Sequence, residues 1–207
     1  MERKKITYVT ILIIIITIIL VRNTLPQINQ NNVRKVTVLL VVDQNYQKSY
    51  RNWKNKSKYV LEAADDVFFS QHNIDFQVKA YGSWNSQGKN SIEILNDLNR
   101  KWNHYDYDFI VGITANKNFE KGGAAIVYKM KPNKSAVSVV LDQGNNTWKS
   151  LVHELSHNFG LDHDSKESKL ACFMNYEYLY QVKTWDEKHF KQISENKKWF
   201  GTIKKKE

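Results

Sequence analysis

Cysteine is almost absent from this chain. Cys172 is the only one in 207 residues, so no intrachain disulfide can brace the fold. Such scarcity suits an exported protein that avoids mispairing, although one residue does not set the redox compartment. Internal repeats are absent as well. The Lys and Arg residues are scattered, densest only at Lys204, Lys205 and Lys206, so the net charge of +10 gives no reason to expect specific nucleic-acid binding. It suits general solubility or attraction to anionic surfaces. With 42% apolar and 13% aromatic residues, the chain has what one globular domain needs.

The first residues read differently from the rest. Glu2-Arg3-Lys4-Lys5 precedes an apolar run from Ile6 to Val21. As a helix that run spans about 24 Å, short of a hydrocarbon core of about 30 Å, and flanking side chains could make up the difference. Neither a small-x-small cleavage site nor a cysteine for lipid attachment follows. Residues 1-22 therefore read as an uncleaved signal anchor, with a cleaved signal peptide as the alternative. The charge before the run places the N-terminus in the cytoplasm and the body outside: membrane-anchored and extracellular, or secreted if the segment is cut. Residues 23-32 are a polar, Asn/Gln-rich linker, and 33-207 remain as the folded domain.

Within the domain, Val33 to Asp43 is β-branched and nearly continuous, which predicts a buried strand. Helical spacing follows in Tyr50 to His72 and Ser91 to Trp102. Strands are expected at Asp75 to Trp84, Tyr107 to Thr114, Ala124 to Met130 and Ser135 to Leu141. A helix from about Thr147 to Phe159, a loop with Cys172 to Tyr180, and a helix near Asp186 to Trp199 complete the chain. The order implies an α/β (α+β) domain: a twisted, mixed five-stranded sheet, an active-site helix and a C-terminal helical part.

The decisive stretch is His153-Glu154-Leu155-Ser156-His157-Asn158-Phe159-Gly160-Leu161-Asp162-His163. Residues four apart on a helix share a face, with β-carbons about 5–6 Å apart, so His153 and His157 can offer imidazoles to one ion. Gly160 can end the helix in the left-handed conformation and bring His163 round as third ligand. Three ligands leave a fourth position open, the mark of a catalytic zinc site. Glu154, beside the ligand pair, is placed to take a proton from water attacking a carbonyl and to pass it to the leaving amine. Requiring Gly and His at two further fixed positions cuts chance matches to the bare HExxH by roughly 900-fold, given 8 Gly and 6 His in the chain.

These residues resemble the extended signature HExxHxxGxxH of the metzincins, which a methionine turn follows. Met174, in Cys172-Phe173-Met174, is placed for that turn. The resemblance is closest to the adamalysin (reprolysin) branch through Asn158, Asp164 and the Cys-x-Met. The strands ending Val41-Val42-Asp43 and Tyr107 to Gly112, and Gly122-Gly123 before Ala124 to Tyr128, are similar too. It implies one catalytic Zn2+ held by His153, His157 and His163, with Met174 as an apolar floor. It also implies an edge strand including Ala124, Ala125, Ile126 and Val127 that pairs with substrate; free N–H and C=O groups on an edge make this plausible independently. Tyr176 lies two residues after Met174, where some other metzincins use a tyrosine to bind zinc or steady the oxyanion; a packing role is equally open. The branch pairs its Cys-x-Met cysteine in a disulfide, which Cys172 cannot do, so it reads as a small buried residue. Thr37 stands where the branch has a calcium-binding Glu, so calcium is not supported. No prodomain is expected. His72, His104 and His189 lie outside the signature and read as bystanders.

The expected function is zinc-dependent endopeptidase action on an extended polypeptide at the extracellular face. A zinc-binding recognition module without catalysis, or a cell-wall peptide hydrolase, are the alternatives. A rim of Tyr176, Tyr178, Leu179 and Tyr180 is expected around the specificity pocket. The expected partners are a polypeptide substrate and a membrane, met through the N-terminal segment, and the domain is expected to be monomeric.

Overall fold

A computed structural model describes residues 32–103, 106–165 and 167–203. The expected anchor, most of the linker and His104 lie outside the described residues. Among those described, no helix is long and apolar enough to cross a membrane.

Strand β1, Arg34–Asp43, lies inside the sheet between two other strands, and alternation along it builds two cores. Val36, Val38, Leu40 and Val42 face one side and Leu39 and Val41 the other. The chain then makes a short helix α1 (Gln44–Ser49) and a long one, α2 (Trp53–His72), before β2 (Ile74–Trp84). Helix α3 (Ser91–Trp102), β3 (Phe109–Thr114), β4 (Gly123–Ala125) and β5 (Ala136–Leu141) follow. A 3-10 turn at Gly144–Asn146 leads into α4 (Thr147–Asn158). Helix α5 (Glu187–Asn196) and a two-residue strand β6 (Thr202–Ile203) end the described chain.

The strand order is β2-β1-β3-β5-β4, with β6 pairing with β1. β2, β1, β3 and β5 run parallel to their neighbours, while β4 and β6 are antiparallel to theirs. The mixed α/β sheet is as expected, with a sixth strand added. Parallel strands must be covered on both faces. Side chains of α2 and α4 (Leu61, Ala64, Phe68, Leu151, Val152, Leu155) pack with one core, and those of α3 (Ile94, Leu95, Leu98) with the other. Phe68 meets Phe76, Phe159 and Trp185 at ring-centroid distances of 5.2, 5.7 and 4.9 Å. Truncating its ring to Ala would cost about 3–5 kcal/mol.

Besides shifts at other element ends, two boundaries differ from the sequence reading for reasons visible in the structure. The helix expected from Tyr50 begins at Trp53 because α1 comes first, started by Asp43, whose carboxylate accepts the Tyr46 N–H at 2.8 Å. The strand expected over Ala124 to Met130 ends at Ala125. Beyond it Ile126 N still donates to Val137 O at 3.1 Å, but Asn158 takes the Ile126 carbonyl at 3.0 Å in place of a strand partner, and the ladder stops there. At the far end of β1, Thr37 donates through N and Oγ1 to Asp108, each at 2.8 Å, and Gly201 N donates to the same carboxylate at 2.8 Å. Those bonds tie the first half of β1 and the residue before β3 to the C-terminal segment.

Candidate metal centre and cleft

Helix α4 places His153 and His157 one turn apart, and the chain after it brings His163 to the same point. The three Nε2 atoms lie 3.2, 3.1 and 3.0 Å from one another. Gly160 makes the turn at φ +89°, and a β-carbon there would stand 2.7 Å from the Tyr128 carbonyl oxygen. Both the left-handed backbone and that close approach require glycine.

The inner nitrogens explain the aim of the rings. His153 Nδ1 donates to the Phe173 carbonyl and His157 Nδ1 to the Leu161 carbonyl, each at 2.7 Å. With the proton held on Nδ1, the Nε2 lone pair points inward. Burial holds the His153 pKa down at about 3 and that of His157 at about 4. Both rings are therefore neutral near neutral pH, the state in which an imidazole can bind a metal. Ligands 2.0–2.1 Å from one ion in tetrahedral geometry stand about 3.3–3.4 Å apart, close to the spacing found. Three lone pairs so near one another form a donor set that could hold one metal ion, and its size and chemistry fit zinc.

Glu154 is also buried, and burial pushes its carboxyl up to about 8, with the Lys121 charge acting in the opposite direction. Its carboxylate packs against the backbone of Gly123 in β4: a β-carbon at Gly123 would overlap Glu154 Cγ and Oε1 and come within 2.7 Å of Cδ. Only glycine leaves that space. Asn158 fixes the same region, accepting from Ser138 Oγ at 2.6 Å and donating to the carbonyls of Ile126 at 3.0 Å and Val137 at 3.2 Å.

The expected loop residues divide. Met174 is fully buried, and its carbonyl accepts the N–H of Asp164 at 3.0 Å, tying the turn to the residue after His163. Tyr176 is 65% exposed, with its ring centroid 4.4 Å from that of His163 and 5.3 Å from that of His153. A cavity of about 290 Å³ opens beside His153 and Glu154, walled by Lys121, Gly122, Ser150, Tyr176, Leu179 and Tyr180. Tyr178 does not line it. A shallower cleft of about 160 Å³ continues past Ala124, Ala125 and Val127 to His157 and His163.

Along β4 and β5, Leu141 N donates to Gly122 O, and Ile126 N to Val137 O. Residues 122, 124 and 126 therefore turn their backbone groups inward, and alternation turns those of Gly123 and Ala125 to the open edge. Of the four residues expected to bind substrate, Ile126 has both backbone groups engaged within the fold, whereas Ala125 has the outward-facing set. Sequence reasoning missed Phe173, Leu161, Gly123 and Lys121. The first two act through carbonyls, which every residue has. A larger cavity of about 550 Å³, lined by Lys35, Asp108 and Trp199 among others, contains none of the triad.

No curated protein matches the chain. A solved structure described as "Structure of a chaperone-substrate complex" matches with a TM-score of 0.56 at 12% identity, covering 83% of this chain and 36% of that one. The chain thus spans about a third of that protein's length, and the likeness is one of fold alone. A reprolysin-type family model, described as metallo-peptidase family M12, matches residues 32–188, from the start of β1 into α5. The histidine signature, its helix and the turn behind it all fall within that match, and the chain belongs to metallo-peptidase family M12.

Proposed function

We propose that the chain is a zinc-dependent endopeptidase holding one catalytic ion on His153, His157 and His163. The observation that carries this reading is the convergence of three Nε2 atoms within 3.2 Å of one another, beside a buried carboxyl and an open cleft. Zinc held there supplies a Lewis acid that polarises the scissile carbonyl and makes water more acidic.

Glu154 supplies the proton transfer. Its high pKa arises mainly from burial, and a nearby dication favours the ionised form, making it a base of suitable strength. The substrate lies extended along β4 and bonds to the free edge at Gly123 and Ala125, which fixes the scissile bond relative to Glu154. One substrate side chain enters the 290 Å³ cavity. Tyr176, exposed and close to His163, turns its phenol toward the oxyanion and donates to it. The apolar run 6–21 supports an anchor that leaves the domain on the extracellular face, and N-terminal sequencing of the exported protein tests whether it is cut.

Purified chain should cleave peptides from a mixed library, stop on chelation and recover with added zinc. Glu154→Gln should keep the metal and lose the cleavage. Zinc binding without cleavage in the wild type would support a recognition module instead.

A further inference from the structure

The residue after His163 faces away from the triad. The Asp164 side chain is 8% exposed, and its Oδ2 is buried without a hydrogen-bond partner. A buried carboxylate oxygen without a donor is rare and calls for an ion or a water. The group facing it is His189, whose Nδ1 lies 3.8 Å from Asp164 Oδ1, 2.6 Å from Asp186 Oδ2 and 3.4 Å from Cys172 Sγ. Cys172 and His189 are fully buried, and the Asp186 side chain is 9% exposed. One donor atom from each of the four residues lies within 4.8 Å of all the others.

We propose that Asp164, Cys172, Asp186 and His189 form a second, structural zinc site, separate from the imidazole triad. A thiolate, an imidazole and two carboxylates fill a tetrahedron with protein ligands, leaving no open position, as a structural site requires. The sulfur disfavours calcium and magnesium, and the mixed set suits zinc. Tetrahedral ligands of these kinds stand about 3.3–3.7 Å apart, which the 3.4 and 3.8 Å separations approach. The 2.6 Å pair is a hydrogen bond whose proton zinc displaces, since ligands bind deprotonated. Asp186 can serve this site while capping α5, because Oδ1 accepts the His189 N–H at 3.0 Å and Oδ2 faces the cluster.

The four ligands come from the loop after His163, the turn before Met174 and the start of α5. An ion joining them fixes the loop carrying His163 and the turn whose Phe173 carbonyl orients His153. It does so where the chain's lone cysteine excludes a disulfide. Burial holds that thiol up at about 12, so near neutral pH it keeps its proton until a cation displaces it.

Metal content of the purified full chain tests this. Wild type should hold two zinc ions, and the His153→Ala/His157→Ala double variant one. Cys172→Ala and His189→Gln should each hold one. Cobalt loaded into the double variant should give a near-ultraviolet thiolate-to-cobalt band that disappears when Cys172→Ala is added. A double variant with no bound zinc, or a cobalt form with no thiolate band, overturns the proposal. The cobalt spectrum decides even if Cys172→Ala does not fold. A wild type holding a single zinc that persists in the double variant would support this site and count against the triad, so the two readings fail separately.

Discussion

Five histidines are described in this structure, and they differ in what the ring nitrogens meet. At His153 and His157 the inner nitrogen donates to a backbone carbonyl, and the outer one faces two other imidazoles. At His72, Nδ1 meets Ser194 Oγ at 3.1 Å and Nε2 is buried without a partner, with the rings of Trp185 and Phe190 at 5.1 and 4.5 Å. Burial, assisted by the Lys197 charge, holds the His72 pKa at about 3, much as burial does for His153. Burial and a low pKa are thus shared by a packing residue and a candidate ligand. The convergence of lone pairs separates them, and a carbonyl behind each of two rings produces it.

The first way to break this comparison is Glu154→Gln. Peptide turnover should fall by about 10²–10⁴-fold with the triad's metal retained, because the base alone is lost. Loss of metal with loss of turnover would mean that Glu154 also holds the triad together. Gly123→Ala comes next: the added methyl pushes the Glu154 carboxylate aside, and turnover should fall about 10²-fold with the fold and metal content kept. Unchanged kinetics would show that the close approach to β4 is irrelevant. Tyr176→Phe should lower turnover about tenfold, less than the loss of a preorganised buried donor, and should leave metal content unchanged. An unaltered rate would return Tyr176 to a packing role.

The smallest effect concerns His72. The unfolded chain protonates this histidine below about pH 6.5, whereas the folded chain resists down to about 3. The unfolded state binds more protons in that window, so stability falls as pH drops through it. His72→Phe should flatten this acid-side decline, seen in urea unfolding between pH 7 and 4, and leave turnover at neutral pH unchanged. An equally steep decline would assign it to other groups.

What the sequence reveals about this site follows from distance along the chain. His153, His157, Gly160 and His163 occupy eleven consecutive residues, so helical geometry and one turn relate them. Gly123 and Glu154 are far apart in sequence, and their contact depends on the β4–β5 pairing and the packing of α4. Phe173 and Leu161 contribute only carbonyls, which leave no side-chain signature. Strand β6, with two residues, is too short to show alternation, and α1 has one buried side chain, Tyr46, among six residues. The overlong strand assigned after Gly123 had the right composition, but Asn158 takes the Ile126 carbonyl that a longer ladder would have used. His189 read as a bystander because its partners Asp164 and Cys172 come from distant segments.

X-ray absorption at the zinc edge, on Cys172→Ala chain with one zinc bound, tests the central claim most directly. Three imidazole nitrogens at about 2.0–2.1 Å, with no sulfur in the shell, are the predicted result. A shell with fewer than three imidazoles would contradict the assignment of His153, His157 and His163 as the ligands.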